Sequence, residues 1–456
     1  MRRVVKVSRI RIIITIIVVV LTTLLTGCTG KEPNEIAYVV ALGIDSTDDG
    51  NYKITIQYAN TTQISGGASE SGGKAGSEIV DNVTIEAPNI YAGVGLANNI
   101  VSKSFSMSHA KLIVFSKEIA EKGVKDMIET LVRSEEIRPD VFIAVANTTA
   151  NDYLTSVNPE MEVNPAQYYQ LIYQKNQLVG IPDGQLREFF TGLYTDNYDS
   201  ILPIAGVIEE SGGNSQNDDK GQSKDSQNEG SEGSSESLDS FESKNSDEKD
   251  ENEKEKDAEK NTSKYEYDIK NYVGGETAIE KKNKAEAIGA AVFEKDKMVG
   301  ELGEVETEIC KMLKGDYSYS YLTYYNNDTP DIPITVKTTQ QKKPKYKIDT
   351  DKKTVDIELY IESDLYSLPS DYNVENKIEE FERDVANYTS SACTEFINNF
   401  TKKYNSDILK LSEKVKYKFL TNNQYNWFKK NVGWSEYKFS VRTNFKVRRT
   451  GLIVRE

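Results

Sequence analysis

The chain has 456 residues and a formal charge of −16, from 56 Lys and Arg against 72 Asp and Glu. That length is room for two or three domains with cores of their own, and a chain without a basic domain gives no footing to a nucleic-acid partner. Three cysteines and one histidine exclude a disulfide-stapled scaffold and a clustered His/Cys zinc site.

At the N-terminus Arg2, Arg3, Lys6, Arg9 and Arg11 precede a mostly apolar stretch of 14 residues, 12 to 25. This is short of the roughly 20 residues a spanning helix needs and has the length of a signal-peptide h-region. Leu25-Thr26-Gly27-Cys28 follows at once, with small side chains beside the scissile bond and a thiol to be alkylated. The sequence predicts a signal peptide over 1–27, cleavage after Gly27 and lipid on Cys28. Two acyl chains, at about 0.8 kcal/mol per buried methylene, anchor stably where one is marginal. Cys310 and Cys393 then remain, at helical-looking positions, as small core residues.

Ile36 to Ile44 is a continuous apolar run ended by Asp45, and after turn chemistry over 46–51 Tyr52, Ile54, Ile56 and Tyr58 alternate with polar residues. This predicts a strand hairpin. A Gly- and Ser-rich stretch over 65–77 is a loop. Gly93-Val94-Gly95 lacks the third glycine of a dinucleotide-binding turn and reads as a turn or a close-packing site. Leu112 to Phe115 is a short buried strand, Ser116 an N-cap, and Ala120, Val124, Met127, Ile128 and Leu131 one helical face, before a strand over Val141 to Ala146. Strand, helix, strand is a crossover unit.

From Glu209 to Asn261 there are 18 Asp and Glu against 7 Lys and Arg, so this stretch holds −11 of the net charge. It has almost nothing apolar to bury and is expected to be a disordered insertion. Beyond it, Ala287 to Phe293 and Lys297 to Leu302 are strands around Glu294-Lys295-Asp296, and Val305, Ile309, Met312 and Leu313 form a helical face closed by Gly315, with Cys310 beside it. Val355, Ile357, Leu359 and Ile361 alternate with polar residues. Val374, Ile378, Phe381, Val385, Tyr388, Ala392, Phe396 and Phe400 mark one stripe of a long helix, suited to packing across a sheet. The closing strand has Phe439, Val441, Phe445 and Val447 on one face and Lys438, Arg442, Lys446 and Arg448 on the other, which reads as a solvent-facing strand.

The expected architecture is mixed α/β (α+β) in three domains: 28–200, a middle domain 201–315 carrying the insertion 209–261, and 316–456, a sheet with a long helix over 374–404. Catalytic chemistry has one histidine to draw on, His109, in Ser106-Met107-Ser108-His109-Ala110 with no nucleophile-elbow glycines, and its expected role is hydrogen bonding at a loop. No catalytic, metal-binding or cofactor-binding residue is expected.

Together these segments resemble the Ger(x)C family, the lipoprotein C subunit of GerA-type nutrient germinant receptors in spore-forming Firmicutes. The resemblance rests on Glu35-Ile36-Ala37-Tyr38-Val39-Val40-Ala41-Leu42-Gly43-Ile44-Asp45, on Ser108-His109-Ala110-Lys111-Leu112-Ile113-Val114-Phe115 leading into Lys117-Glu118-Ile119-Ala120-Glu121-Lys122-Gly123, on Gly289-Ala290-Ala291-Val292-Phe293 and Met298-Val299-Gly300-Glu301-Leu302, and on Trp427 and Trp434 before Arg448-Arg449-Thr450-Gly451. Thr29, where the family often has an aromatic, and the acidic insertion depart from its pattern. The resemblance implies a non-enzymatic subunit lipid-anchored through Cys28 on the outer face of the spore inner membrane. It would support germination with multipass A and B subunits. It leaves open direct small-molecule binding. The alternative is a solute-binding lipoprotein of an ABC-type uptake system, which predicts two similar lobes around a cleft; an extracytoplasmic hydrolase would need a set of residues around His109.

Overall fold

A computed structural model describes residues 13–17, 35–59, 80–158, 164–174, 180–195, 199–208, 271–277, 283–326, 329–367 and 377–450. Gly27, Cys28, the stretch 65–77 and the insertion 209–261 lie outside the described residues. The described elements build two mixed sheets, one of nine strands and one of four, which is the mixed α/β class the sequence predicts.

The larger sheet runs in the order β3 (Val80–Ala87), β2 (Tyr52–Ala59), β1 (Ile36–Ser46), β5 (Leu112–Ser116), β6 (Phe142–Ala146), β7 (Ile201–Val207), β8 (Ala285–Glu294), β9 (Lys297–Leu302), with β4 (Ser104–Ser106) also paired to β1. Strand β1 is central because its apolar run is uninterrupted, and Val39 to Ile44 have both faces covered. It pairs antiparallel with β2, as the hairpin reading requires, and parallel with β5. The parallel pair β5 and β6 closes the predicted crossover unit. Residues 201–302 continue this sheet: β6 pairs β7, β7 pairs β8 and β8 pairs β9, so hydrogen bonding is unbroken across residue 200.

One face of the sheet is covered by α1 (Ile90–Ala97), α2 (Lys117–Lys122), α3 (Lys125–Val132) and α6 (Leu186–Leu193), the other by α4 (Ala150–Ser156) and α5 (Pro165–Tyr173). The single helix expected over 120–131 is in fact α2 and α3. Gly123, at φ 124, sits in a region closed to most side chains and breaks the run, while Val124, Met127, Ile128 and Leu131 stay buried. Ser116 does cap α2, its hydroxyl accepting from the Ile119 amide at 3.4 Å. Gly93 lies inside α1, where a Cβ would stand 2.6 Å from Ile54 Cδ1, so close packing accounts for it and a turn does not.

The smaller sheet, β10 (Tyr319–Asn326), β11 (Thr329–Asp349), β12 (Thr354–Ser367) and β13 (Lys438–Arg449), is antiparallel except for the parallel pair β12 and β13. Helix α7 (Glu304–Lys314) packs in the core shared by both sheets, with Cys310 fully buried on its apolar face rather than beside it. Helix α8 (Ile378–Tyr404) is 27 residues long, about 40 Å. Its buried row is Phe381, Val385, Cys393, Phe396, Ile397 and Phe400, so Cys393 takes the place the stripe gave to Ala392.

The helix runs along the outer edge of β13 and closes it. The amide of Val441 donates to Thr394 Oγ1 at 3.0 Å, that of Thr443 to Ser390 Oγ at 2.9 Å, and that of Val447 to Glu382 Oε1 at 2.9 Å. Asn398 adds a two-way pair with Phe439. These side chains stand where a further strand would otherwise pair. On the solvent face of β13, Lys446 and Arg448 meet Glu382 and Glu362 at 2.5 and 3.1 Å, so two of the four residues of its basic row are answered within the fold.

The last segments are α9 (Leu411–Lys414), a 3₁₀ turn over Lys416–Lys418, α10 (Asn422–Asn431) and a second 3₁₀ turn over Trp434–Glu436.

Candidate functional site

Two of the segments that carry the family resemblance lie side by side in the larger sheet, as β1 and the parallel β5. Asp45 ends its apolar run, and the structure shows why a carboxylate stands there: its oxygens accept from the amides of Ala150 and Asn151 at 2.6 and 3.0 Å. These are orphan donors of the first turn of α4, so one side chain fixes a strand end to a helix start. Burial holds the Asp45 carboxyl above its usual value despite those bonds. Beside it, Asn151 Nδ2 donates to Thr55 and Thr84, at 2.9 and 3.0 Å, and Gln57 bridges Leu154 O and Tyr169 Oη. This is a satisfied polar network, whose role is to set the orientation of α4 and α5 against the sheet.

His109 lies exposed in the turn before β5, its ring edge-to-face with Tyr38 at 5.0 Å between centroids. The same loop is held by its backbone: Lys111 N donates to Val40 O at 2.9 Å, and Met107 N to Glu136 Oε2 at 2.7 Å. The Ser108 hydroxyl pairs with Ser106 rather than with the imidazole. The contact the structure shows for His109 is this edge contact with Tyr38. Among the described residues no group of three or more His, Cys, Asp and Glu is arranged to hold a metal ion. Burial pushes both thiols up, that of Cys310 to about 11 and that of Cys393 to about 12.

A cavity of about 340 Å³ opens where α6, β7 and α7 meet, lined among others by Asp183, Phe189, Lys311, Lys314, Asp316 and Tyr317. Sequence reasoning missed it, since its charges come from stretches more than a hundred residues apart with no motif in either. Lys311 is buried, its Nζ donating to Ile181 O at 2.9 Å, and desolvation lowers its pKa against the pull of Asp316, Glu308 and Asp183. Next to it Glu308 accepts from Ser320 Oγ at 2.7 Å and is pushed up to about 7 by burial. The lining brings ammonium and carboxyl groups together with the rings of Phe189 and Tyr317.

Comparison with known proteins bears on two long stretches of the chain. The N-terminal domain model of spore germination proteins matches residues 30–207, and the C-terminal model described as spore germination B3/GerAC like matches residues 288–451. Spore germination protein KC of Bacillus subtilis is 26% identical over 174 residues, which are 35% of this chain and 42% of that protein. Spore germination protein GerQC of Bacillus cereus is 24% identical over 208 residues, 43% of this chain and 53% of the relative, so the chain spans about half the length of such relatives or less. The crystal structure of the GerBC protein aligns over 89% of this chain and 96% of that one at 15% identity, with a TM-score of 0.47.

Proposed function

The chain belongs to the Ger(x)C family of spore germination proteins, and from that premise we propose that it is the lipid-anchored, non-enzymatic C-type subunit of a nutrient germinant receptor. The observation that carries the reading is the order of the two family models, which flank the acidic insertion and begin just after Cys28. The lipobox supplies the anchor: a diacylglyceryl group on Cys28 tethers the domain to the outer face of the membrane, where multipass A and B subunits would receive it. No described helix is long and apolar enough to cross a membrane. The fold then serves as a binding and assembly module, with β1 and its Asp45 network as its rigid centre.

The test is Cys28→Ala in the sporulating host. The expected result is a chain lost from the membrane fraction and spores that respond poorly to nutrient germinants. Undiminished germination with an unanchored chain would overturn the anchoring part. His109→Ala is expected to leave germination unchanged; a clear defect there would reopen the hydrolase reading.

The solute-binding alternative is not favoured, because it calls for two similar lobes, whereas the two sheets differ in strand number and order. Tight calorimetric binding of an amino acid or sugar by the purified chain would revive it, with the cavity at Lys311 as the place to look.

A further inference from the structure

Three of the four most exposed large apolar side chains among the described residues fall within a stretch of eleven: Leu420 at 94%, Tyr417 at 82% and Trp427 at 69% exposed. Isolated exposed apolar groups are ordinary on a protein surface, but a cluster marks an interaction site. Its geometry is fixed from below. Helix α10 is anchored through Tyr425 and Phe428, whose rings stand 5.9 and 4.9 Å from that of Phe419, and Phe428 also meets Trp434 at 6.3 Å. Trp427 is two residues from Tyr425, about 200° around the helix, so the indole points away from the side that holds the helix down.

The charge around these groups is segregated. Residues 410–431 hold six lysines (Lys410, Lys414, Lys416, Lys418, Lys429 and Lys430) against one acidic residue, Glu413, a local +5 in a chain of net −16. Lys416, Lys418 and Lys430 are exposed. Lys416 and Lys429 lie over the Tyr425 ring at 5.7 and 5.5 Å, and Lys418 Nζ donates to Ile348 O.

We propose that residues 416–430 rest on the anionic phospholipid surface of the membrane to which Cys28 tethers the chain, an inference that rests on the anchoring proposed above. Trp and Tyr favour headgroup depth, where an amphipathic ring has one end apolar and the other wet, and lysines are drawn to anionic headgroups. A protein partner fits less well: protein interfaces are depleted in Lys and enriched in Arg, and residues 416–430 have four of the first and none of the second. The acyl anchor holds the patch at high local concentration over the bilayer, so a weak second contact suffices to orient the domain.

The chain has two tryptophans, Trp427 exposed and Trp434 buried, which makes the test direct. The full lipidated chain is reconstituted in vesicles of phosphatidylglycerol and phosphatidylcholine, with and without brominated acyl chains, and Trp427→Phe reports the residual signal of Trp434. The expected result is a blue shift and loss of most Trp427 emission to the brominated lipid, reduced in Lys416→Gln/Lys430→Gln and in vesicles lacking phosphatidylglycerol. Equal iodide quenching of Trp427 with and without vesicles overturns the inference. If the chain pellets with the vesicles in that case, the tether stands and the patch alone is wrong; a chain left in the supernatant fails the anchoring reading as well. Shielding that appears only in membranes containing multipass receptor subunits overturns the lipid assignment in favour of a protein partner.

Discussion

Asn398 and Phe439 exchange two hydrogen bonds: Asn398 Nδ2 donates to Phe439 O at 3.0 Å, and Asn398 Oδ1 accepts from Phe439 N at 3.1 Å. A side-chain amide thus stands in for the peptide of a neighbouring strand. Replacing it with leucine removes a donor and an acceptor at once and strands both backbone groups at the start of β13. Asn398→Leu is expected to lower stability by about 1–3 kcal/mol, read as a lower urea midpoint at unchanged slope. An unchanged midpoint would show that the pair contributes nothing net.

Asp45→Ala is expected to cost a similar about 1–2 kcal/mol, since it removes the acceptor of the Ala150 and Asn151 amides, although Thr149 still caps α4 through the Asp152 amide. Hydrogen exchange at the Ala150 and Asn151 amides is the sharper readout. Protection there equal to that of the unaltered chain would mean another acceptor serves them.

Gly300 leaves room for Tyr404: a Cβ on it would stand 2.0 Å from the Tyr404 hydroxyl and 2.6 Å from Cζ. Gly300→Ala is therefore expected to destabilise by about 1–3 kcal/mol through overpacking. Gly300→Ala/Tyr404→Leu should recover part of that loss, a non-additivity expected of touching residues. Strict additivity would place the cost in the strand itself.

Glu308 supplies a pH dependence with a definite sign. Burial raises its carboxyl from 4.5 to about 7, so the folded chain binds the proton more tightly than the unfolded one. Its contribution is fully present below about pH 4.5 and is lost as pH rises through 7. Stability at pH 8 is expected to fall below that at pH 5 by about 1–3 kcal/mol on this account, and Glu308→Gln should flatten the curve over that window. A Glu308→Gln chain with the same slope between pH 5 and 8 would assign the effect to another group.

The chain leaves the larger sheet at the end of β7 and re-enters it beside the same point at the start of β8. Val207 pairs with Ala285, and Ile208 N donates to Lys284 O at 2.9 Å. Deleting 209–261 while keeping 271–277, whose Gly274 packs on Gly206, shortens a loop without touching a described contact. Loop-closure entropy changes by about 2 kcal/mol at most, in the stabilising direction. The melting temperature should hold or rise by a few degrees; a fall of more than about 5 °C would show that the insertion contributes to the fold.

Hydrophobic patterning made the hairpin of β1 and β2, the pair β8 and β9, and the helices α7 and α8 legible, because each is a local run with its own punctuation. What it did not carry is long-range. Ala120 to Leu131 kept a single apolar period although Gly123 interrupts the backbone, since burial on both sides of the break is on the same face. The parallel pairing of β12 with β13 depends on where a 27-residue helix returns the chain, which no local signal states. Ser390, Thr394 and Asn398 are polar residues at four-residue steps whose purpose appears only once β13 lies beside them. The cavity at Lys311 assembles from three separate elements, and the exposure of Trp427 depends on what α10 packs against. Gly27 and Cys28, the residues the sequence singled out most clearly, remain with the proposal of a lipid anchor.

The closed flank of β13 also decides how this sheet can recruit another polypeptide. A peptide adding itself as a strand would have to displace hydrogen bonds from Glu382, Ser390, Thr394 and Asn398 before forming its own. Strand addition to the smaller sheet is therefore disfavoured on the β13 flank. The same asymmetry caps fibrillar self-association, because two copies cannot zip together through matching β13 edges.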